Sequence, residues 1–210
     1  MRQRKVKNLD TKLANLTDWI IETPEDWKGH WADVFGQRPV YLEIGCGKGQ
    51  FLAGHAQRHP ENGYLGVEGQ RSVILRAIEK AQGLDNVRFL PAYVQDLDAL
   101  FAPGELVGIY LNFSDPWPKA RHEKRRLTHH LRLAAYAKAI GKGGVIEIKT
   151  DNDDLFAFTL EQITLAGLEL EAVTDDLHHS IYAEDNILTE YEEKFSGAGK
   201  NIHFARASVL

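Results

Sequence analysis

The sequence predicts an α/β fold: a mostly parallel seven-stranded sheet with helices on both faces and a final antiparallel strand pair. Three observations predict it. From Pro39 onward, short apolar strands alternate with helical periods. The first strand runs straight into a cluster of glycines. The last two strands have no helix of comparable strength between them. Length sets the frame, since 210 residues with 43% apolar content make one domain and at most a small extension.

The elements follow in order. Residues 1–39 read as a basic N-terminal arm, over 1–12, and a short helical extension. In that extension Thr23 is placed to cap a helix, with Pro24 at its first position and Glu25 and Asp26 in its first turn. Trp27 and Trp31 are four apart and share a face of it. Residues 40–210 form the domain proper. Val40–Ile44 is a short apolar strand, Gly45–Gly49 a glycine turn and Gln50–Arg58 a helix. Tyr64–Val67 is the second strand. Gln70–Gln82 carries Val73, Ile74, Ala77, Ile78 and Ala81 on one helical face, and Gly83 stops it. Val87–Leu90 is a strand, followed by a short helix near Leu97–Phe101. Val107–Asn112 is the fourth strand, and a long helix is expected from about Lys124 to Ile140, ending at Gly141. Val145–Lys149 is a strand and Asn152–Ala166 a helix. Leu168–Val173 and Ile202–Val209 close the chain around an irregular stretch that contains Tyr182–Phe195. Five βα units and a terminal strand pair resemble the Rossmann-like, seven-strand arrangement of class I methyltransferases rather than the six-strand dinucleotide fold.

Composition excludes several classes. The one cysteine, Cys46, rules out a disulfide framework and a cysteine-based zinc site. No apolar run approaches bilayer length, and polar residues follow the basic N-terminus where a signal peptide needs an apolar segment. A cytoplasmic protein without membrane contact is expected. The net charge of -5 argues at first against a nucleic-acid partner. The charge is segregated, however. Residues 1–12 hold five positive charges against one negative, and so do residues 119–126. The remaining residues carry 15 positive and 28 negative charges, an acidic body with two basic patches.

The turn Glu43-Ile44-Gly45-Cys46-Gly47-Lys48-Gly49 links a strand to a helix. Its glycines let a ligand approach the backbone, and the helix beyond presents free N–H groups. The spacing is G-x-G-x-G, one residue short of a dinucleotide fingerprint, and it is not a Walker loop. The carboxylate of Glu43 suits an amine or sulfonium better than a pyrophosphate. Glu68, after the second strand, sits where an acid accepts from ribose hydroxyls. Asp96, after the third strand region, is placed to accept from an adenine amino group. Three acids at or just after the ends of three successive strands describe a nucleoside pocket.

The segment Asn112-Phe113-Ser114-Asp115-Pro116-Trp117-Pro118-Lys119 follows the fourth strand, where open α/β sheets put their ligands. Its prolines stiffen the loop around Trp117 and Asp115. Arg121, His122, Glu123, Lys124, Arg125 and Arg126 follow directly, and a basic run at that place meets phosphates.

On these pieces the chain resembles the bacterial tRNA (guanine-N7)-methyltransferase family. The match runs through Glu43–Gly49, Gly66-Val67-Glu68, Asn112–Arg126, Thr150-Asp151 before Leu155-Phe156, and Thr189-Glu190-Tyr191-Glu192 into Lys194-Phe195. Residues 1–39 carry no diagnostic match. The resemblance implies S-adenosylmethionine as donor, S-adenosylhomocysteine as product, and a guanine in the variable loop of tRNA as acceptor. It implies donor contacts at Glu43, Gly45, Gly47, Gly49, Glu68, Asp96 and Asp115, with Asp115 the catalytic candidate. Substrate contacts fall to Lys119, Asp151, Thr189, Glu190, Tyr191 and Glu192, and RNA contacts to Arg121–Arg126. Thr189 with Glu192 three residues later also fits a helix-start capping box. No metal site is expected, since Asp151–Asp154 lacks the spacing of a calcium loop and helix capping suits it better. A non-catalytic RNA-binding subunit on the same fold is the competing reading, and the intact glycine turn and Asp115 weigh against it. Monomer and homodimer both remain open.

Overall fold

The computed structural model describes residues 6–94, 96–195 and 199–210. Seven strands form one sheet: β1 (Val40–Ile44), β2 (Gly63–Val67), β3 (Val87–Leu90), β4 (Gly108–Asn112), β5 (Val145–Thr150), β6 (Glu169–Thr174) and β7 (His203–Ser208). Their order is β3-β2-β1-β4-β5-β7-β6. β1 to β5 pair in parallel, and β7 runs antiparallel between β5 and β6. The expected fold class, with its antiparallel end, is what the chain adopts.

Seven helices accompany the sheet among the described residues: α1 (Leu9–Ala14), α2 (Trp31–Val34), α3 (Gln50–Arg58), α4 (Arg71–Ala81), α5 (His130–Ile140), α6 (Asp153–Leu165) and α7 (Glu190–Phe195). Strand alternation divides the core in two. Leu42, Ile44, Leu65, Val67, Ile109 and Leu111 face the layer holding Leu133, Tyr136 and Phe156. Tyr64, Phe89 and Tyr110 face the opposite layer, with Phe51, Ile74 and Ile78 of α3 and α4. Among the described residues no helix is long and apolar enough to cross a membrane.

Three local expectations are corrected. The helix expected over Lys124–Ile140 is two elements, a 3-10 turn at Ala120–Arg125 and α5, joined by a tight turn over residues 127–128 that His129 N closes onto Arg126 O, with extended backbone at Arg126 and His129. Arg126 donates to Pro116 O at 2.9 Å and Trp117 O at 3.2 Å, and its guanidinium lies 4.3 Å from the Phe158 ring. Thr128 is fully buried and accepts from the Thr159 hydroxyl. These long-range contacts override local helical propensity. The helix expected after Thr23 is a 3-10 turn, Pro24–Trp27, with no side-chain cap, and Gly29 at φ 85° separates it from α2. Trp31 still anchors the core, 0% exposed, with its indole N–H donating to Leu100 O. Leu97–Phe101 closes as a single turn through Phe101 N to Leu97 O, not as a helix. Residues 9–12 of the expected arm fall within α1, whose Leu13 is buried. Arg2, Arg4 and Lys5 lie outside the described residues. The extension also joins the sheet, since Ile20 bridges Phe89 of β3.

Candidate active site

The site lies at the carboxyl ends of β1, β2 and β4, on either side of the β1–β4 crossover. Two adjoining lobes of about 410 Å³ and 310 Å³ share Gly45, Glu68, Gln70, Asn112 and Phe113. Gly45 and Gly47 adopt φ of 83° and 55°, a left-handed backbone that side chains rarely tolerate. A Cβ on either would point into open space, so nothing screens the backbone from a ligand. The need at Gly49 differs. There a Cβ would come within 2.8 Å of Ala77 Cβ, so this glycine lets α3 pack on α4.

Glu43 forms the floor of the smaller lobe. It is 2% exposed; Oε1 accepts from Asn112 Nδ2 at 2.8 Å, while the buried Oε2 has no partner. Burial pushes its pKa up to about 7, against the pull of Asn112 and of the Lys149 charge. An orphaned carboxylate oxygen beside exposed glycine backbone is a seat for a cationic or hydrogen-bond-donating group. Glu68 is half-buried and borders both lobes; its Oε1 accepts from Gln70 N at 2.9 Å. Asp96 is exposed, caps Asp98 N and does not line the cavity, where Ala92, Tyr93 and Val94 stand instead. Cys46 is buried, and burial raises its thiol pKa, which leaves it a packing role.

The loop after β4 supplies the opposite wall. Phe113 and Trp117 hold φ of 51° and 41°, costly for side-chain-bearing residues at about 1–3 kcal/mol each. The strain brackets Asp115, which is exposed on the cavity wall and has no hydrogen-bonding partner among the described residues. Arg126 clamps the loop carbonyls, as described above. Arg125 lies over the Trp117 ring at 4.9 Å and borders the same lobe. His122 meets the Trp117 ring edge-on at 5.8 Å. Lys119, Arg121, Glu123 and Lys124 are exposed. So of the basic run, Arg126 is committed to the loop, while the exposed side chains of Lys119, Arg121 and Lys124 make no hydrogen bond or ion pair among the described residues.

The Thr189–Glu192 segment closes the smaller lobe. Thr189, Glu190 and Tyr191 line it. Thr189 and Glu192 form the capping box: Thr189 N donates to Glu192 Oε2 at 2.9 Å, and Glu192 N to Thr189 Oγ1 at 3.1 Å. Glu192 is 0% exposed and faces inward. Tyr191 is half-exposed; its hydroxyl donates to Asp151, which also meets Lys200 at 3.4 Å. Asn152 caps α6 through Oδ1 to Leu155 N. Sequence reasoning missed Asn112, the partner of Glu43. Its signal was an amide at the last position of a buried strand, directly before the loop.

A larger cavity of about 480 Å³ opens beside α3 over the Tyr41, Tyr64 and Tyr110 rings. It has neither the glycine turn nor the Asp115 loop, so size alone does not mark the site.

Comparison with known proteins agrees with this geometry. A family profile described as "Putative methyltransferase" matches residues 37–205. A tRNA (guanine-N(7)-)-methyltransferase of Lachnoclostridium phytofermentans is 50% identical, covering 97% of this chain and 96% of that protein. The chain belongs to the tRNA (guanine-N(7)-)-methyltransferase family. A family member from Bacillus subtilis is 47% identical over 98% of this chain and 97% of its own length. The fold of the family also recurs at low identity. The 16S rRNA methyltransferase KamB superposes with a TM-score of 0.63 at 13% identity, over 86% of this chain and 93% of that one.

Proposed function

We propose that this chain transfers a methyl group from S-adenosylmethionine to N7 of a guanine in the variable loop of tRNA, leaving S-adenosylhomocysteine. One observation carries the reading: the cavity that fits a nucleoside and the basic run that fits phosphate share a wall, with Asp115, Trp117 and Arg125 all on it.

The residues present fit the donor. Glu43 offers a buried, unpartnered carboxylate oxygen to its amino group, Glu68 accepts from its ribose hydroxyls, and the Gly45–Gly47 backbone lies bare beside both. When bound, the donor supplies an activated methyl group on a sulfonium. The protein's task is then positioning. Guanine N7 carries an in-plane lone pair and no proton, so no base has to remove one before attack. In-line placement and a shaped electrostatic site supply the rate. Asp115 orients the acceptor at the cavity wall, Tyr191 stacks on the unstacked purine, and Asp151 and Glu190 accept from its N1–H and amino group. Lys119, Arg121 and Lys124 hold the phosphates, and the acidic body discourages binding elsewhere. The protein acts in the cytoplasm, as a monomer or a homodimer.

Incubation of unmodified tRNA with methyl-labelled donor tests the reading. Nuclease digestion is expected to release labelled N7-methylguanosine. Binding of tRNA without any transfer would instead support a non-catalytic subunit. The exposed basic residues and Arg126 separate by salt titration and melting temperature together. Arg121→Ala with Lys124→Ala is expected to lower the slope of log affinity against log salt by about 1.5–2 while leaving the melting temperature unchanged. Arg126→Ala is expected to lower the melting temperature, because it frees the two loop carbonyls and uncovers Phe158.

A further inference from the structure

Lys149 is 3% exposed near the end of β5, and none of the functions above uses it. Its neighbours Ile146 and Ile148 feed the core, and alternation turns Lys149 to the opposite face. There its ammonium donates to Asn186 Oδ1 at 2.7 Å, Ile187 O at 2.9 Å and Glu192 Oε2 at 3.0 Å. The Phe51 ring lies 4.6 Å away. All three acceptors belong to one segment, residues 186–192.

Glu192 mirrors this. Oε2 receives Lys149 and Thr189 N; Oε1 receives Asn186 Nδ2 at 3.1 Å and meets His178 Nε2 at 3.2 Å. The carboxylate is saturated and points inward. Its neighbours on α7 point elsewhere. Glu190 meets Gln50 N and Lys80, Tyr191 meets Asp151, and both line the smaller lobe. A helix of six residues is too short to hold its own shape in water, so its placement comes from what it is tied to. Stability alone does not call for an ion pair here, since apolar residues of similar volume commonly serve as well in a buried position.

We propose that Lys149 is a positioning residue: its ammonium latches the Asn186–Glu192 segment to the end of β5 and so holds Tyr191 on the wall of the smaller lobe. The latch rests on the proposed methyl transfer to tRNA. It acts through the segment rather than on the reacting atoms.

A double-mutant cycle in the full chain tests it, read as kcat/KM for tRNA at saturating donor. Tyr191→Ala in the otherwise natural protein is expected to lower this value about tenfold, and Lys149→Met at least as much. In the Lys149→Met background, Tyr191→Ala is expected to lower it by less than about threefold, because the ring is already misplaced. Independent, multiplying losses would overturn the latch, as would a Lys149→Met protein within about threefold of the natural one. Should Lys149→Met melt below the assay temperature, Glu192→Gln decides by the same cycle, since it keeps the side chain's volume and removes its charge. A natural protein that makes no N7-methylguanosine defeats the functional reading; an active natural protein with multiplying losses defeats only the latch.

Discussion

Asp115→Asn is expected to slow single-turnover methyl transfer by about two orders of magnitude, with donor affinity nearly unchanged. The size follows from where the residue stands. Its carboxylate is exposed on the cavity wall, bonded to no described group, on a loop whose backbone is strained at Phe113 and Trp117 and clamped by Arg126. A rigid loop that presents one free carboxylate makes orientation its asset, and the asparagine keeps the shape while losing the charge. Because N7 has no proton to give up, the rate at saturating donor and tRNA is expected to stay flat across neutral pH in both proteins. A natural enzyme whose single-turnover rate fell about tenfold per pH unit below neutrality, with the slope abolished by Asp115→Asn, would make Asp115 a base and defeat the positioning account.

Glu43→Gln is expected to weaken donor binding by about one to two orders of magnitude at pH 8 while raising the melting temperature of the unliganded protein. The sign comes from the raised pKa. Glu43 titrates at about 7 in the folded chain, against an ordinary 4.5. Its protonated form therefore favours folding. That contribution is fully present below about pH 4.5 and is lost as pH rises through about 7, a difference on the order of 3 kcal/mol. Above neutrality the protein carries an ionised, desolvated carboxylate whose Oε2 has no partner until a ligand arrives. The amide removes that penalty and the attraction for a cation together. In the natural protein, donor affinity is expected to fall as pH drops below about 7, and Glu43→Gln to flatten that dependence; calorimetry across pH 5.5–8.5 reads both. A melting temperature lowered by the substitution, with affinity unchanged, would contradict the assignment.

The glycine turn and the sheet were legible because their signals are local. Left-handed backbone at Gly45 and Gly47 needs glycine, and alternation along β1 and β4 separates Leu42 and Ile109 from Tyr41 and Tyr110 without knowledge of the partner strands. The break before α5 was not legible. Lys124, Arg125 and Arg126 all favour helix, and what unwinds the stretch is Arg126 reaching back to Pro116 and Trp117. The acid positions split for a similar reason. Glu43 and Glu68 sit at strand ends that point into the cavity, whereas Asp96, two residues past the lining Val94, does not border it. Within Thr189–Glu192 the capping-box reading and the substrate reading divide the residues. Thr189 and Glu192 build the helix start, Glu190 and Tyr191 face the lobe, and Thr189 does both. The charge map was more informative than its sum, since the net -5 conceals an exposed basic surface at Lys119, Arg121 and Lys124 on the run that follows the Asp115 loop.

The position of the new methyl group on the tRNA is the most direct measure of the proposed reaction. Unmodified tRNA treated with the natural protein and S-adenosylmethionine, then reduced and cleaved with aniline, breaks only at N7-methylguanine. The expected result is one new break, at a guanine in the variable loop, absent without donor. Methyl incorporation with no break there, or breaks scattered over the tRNA, would contradict it.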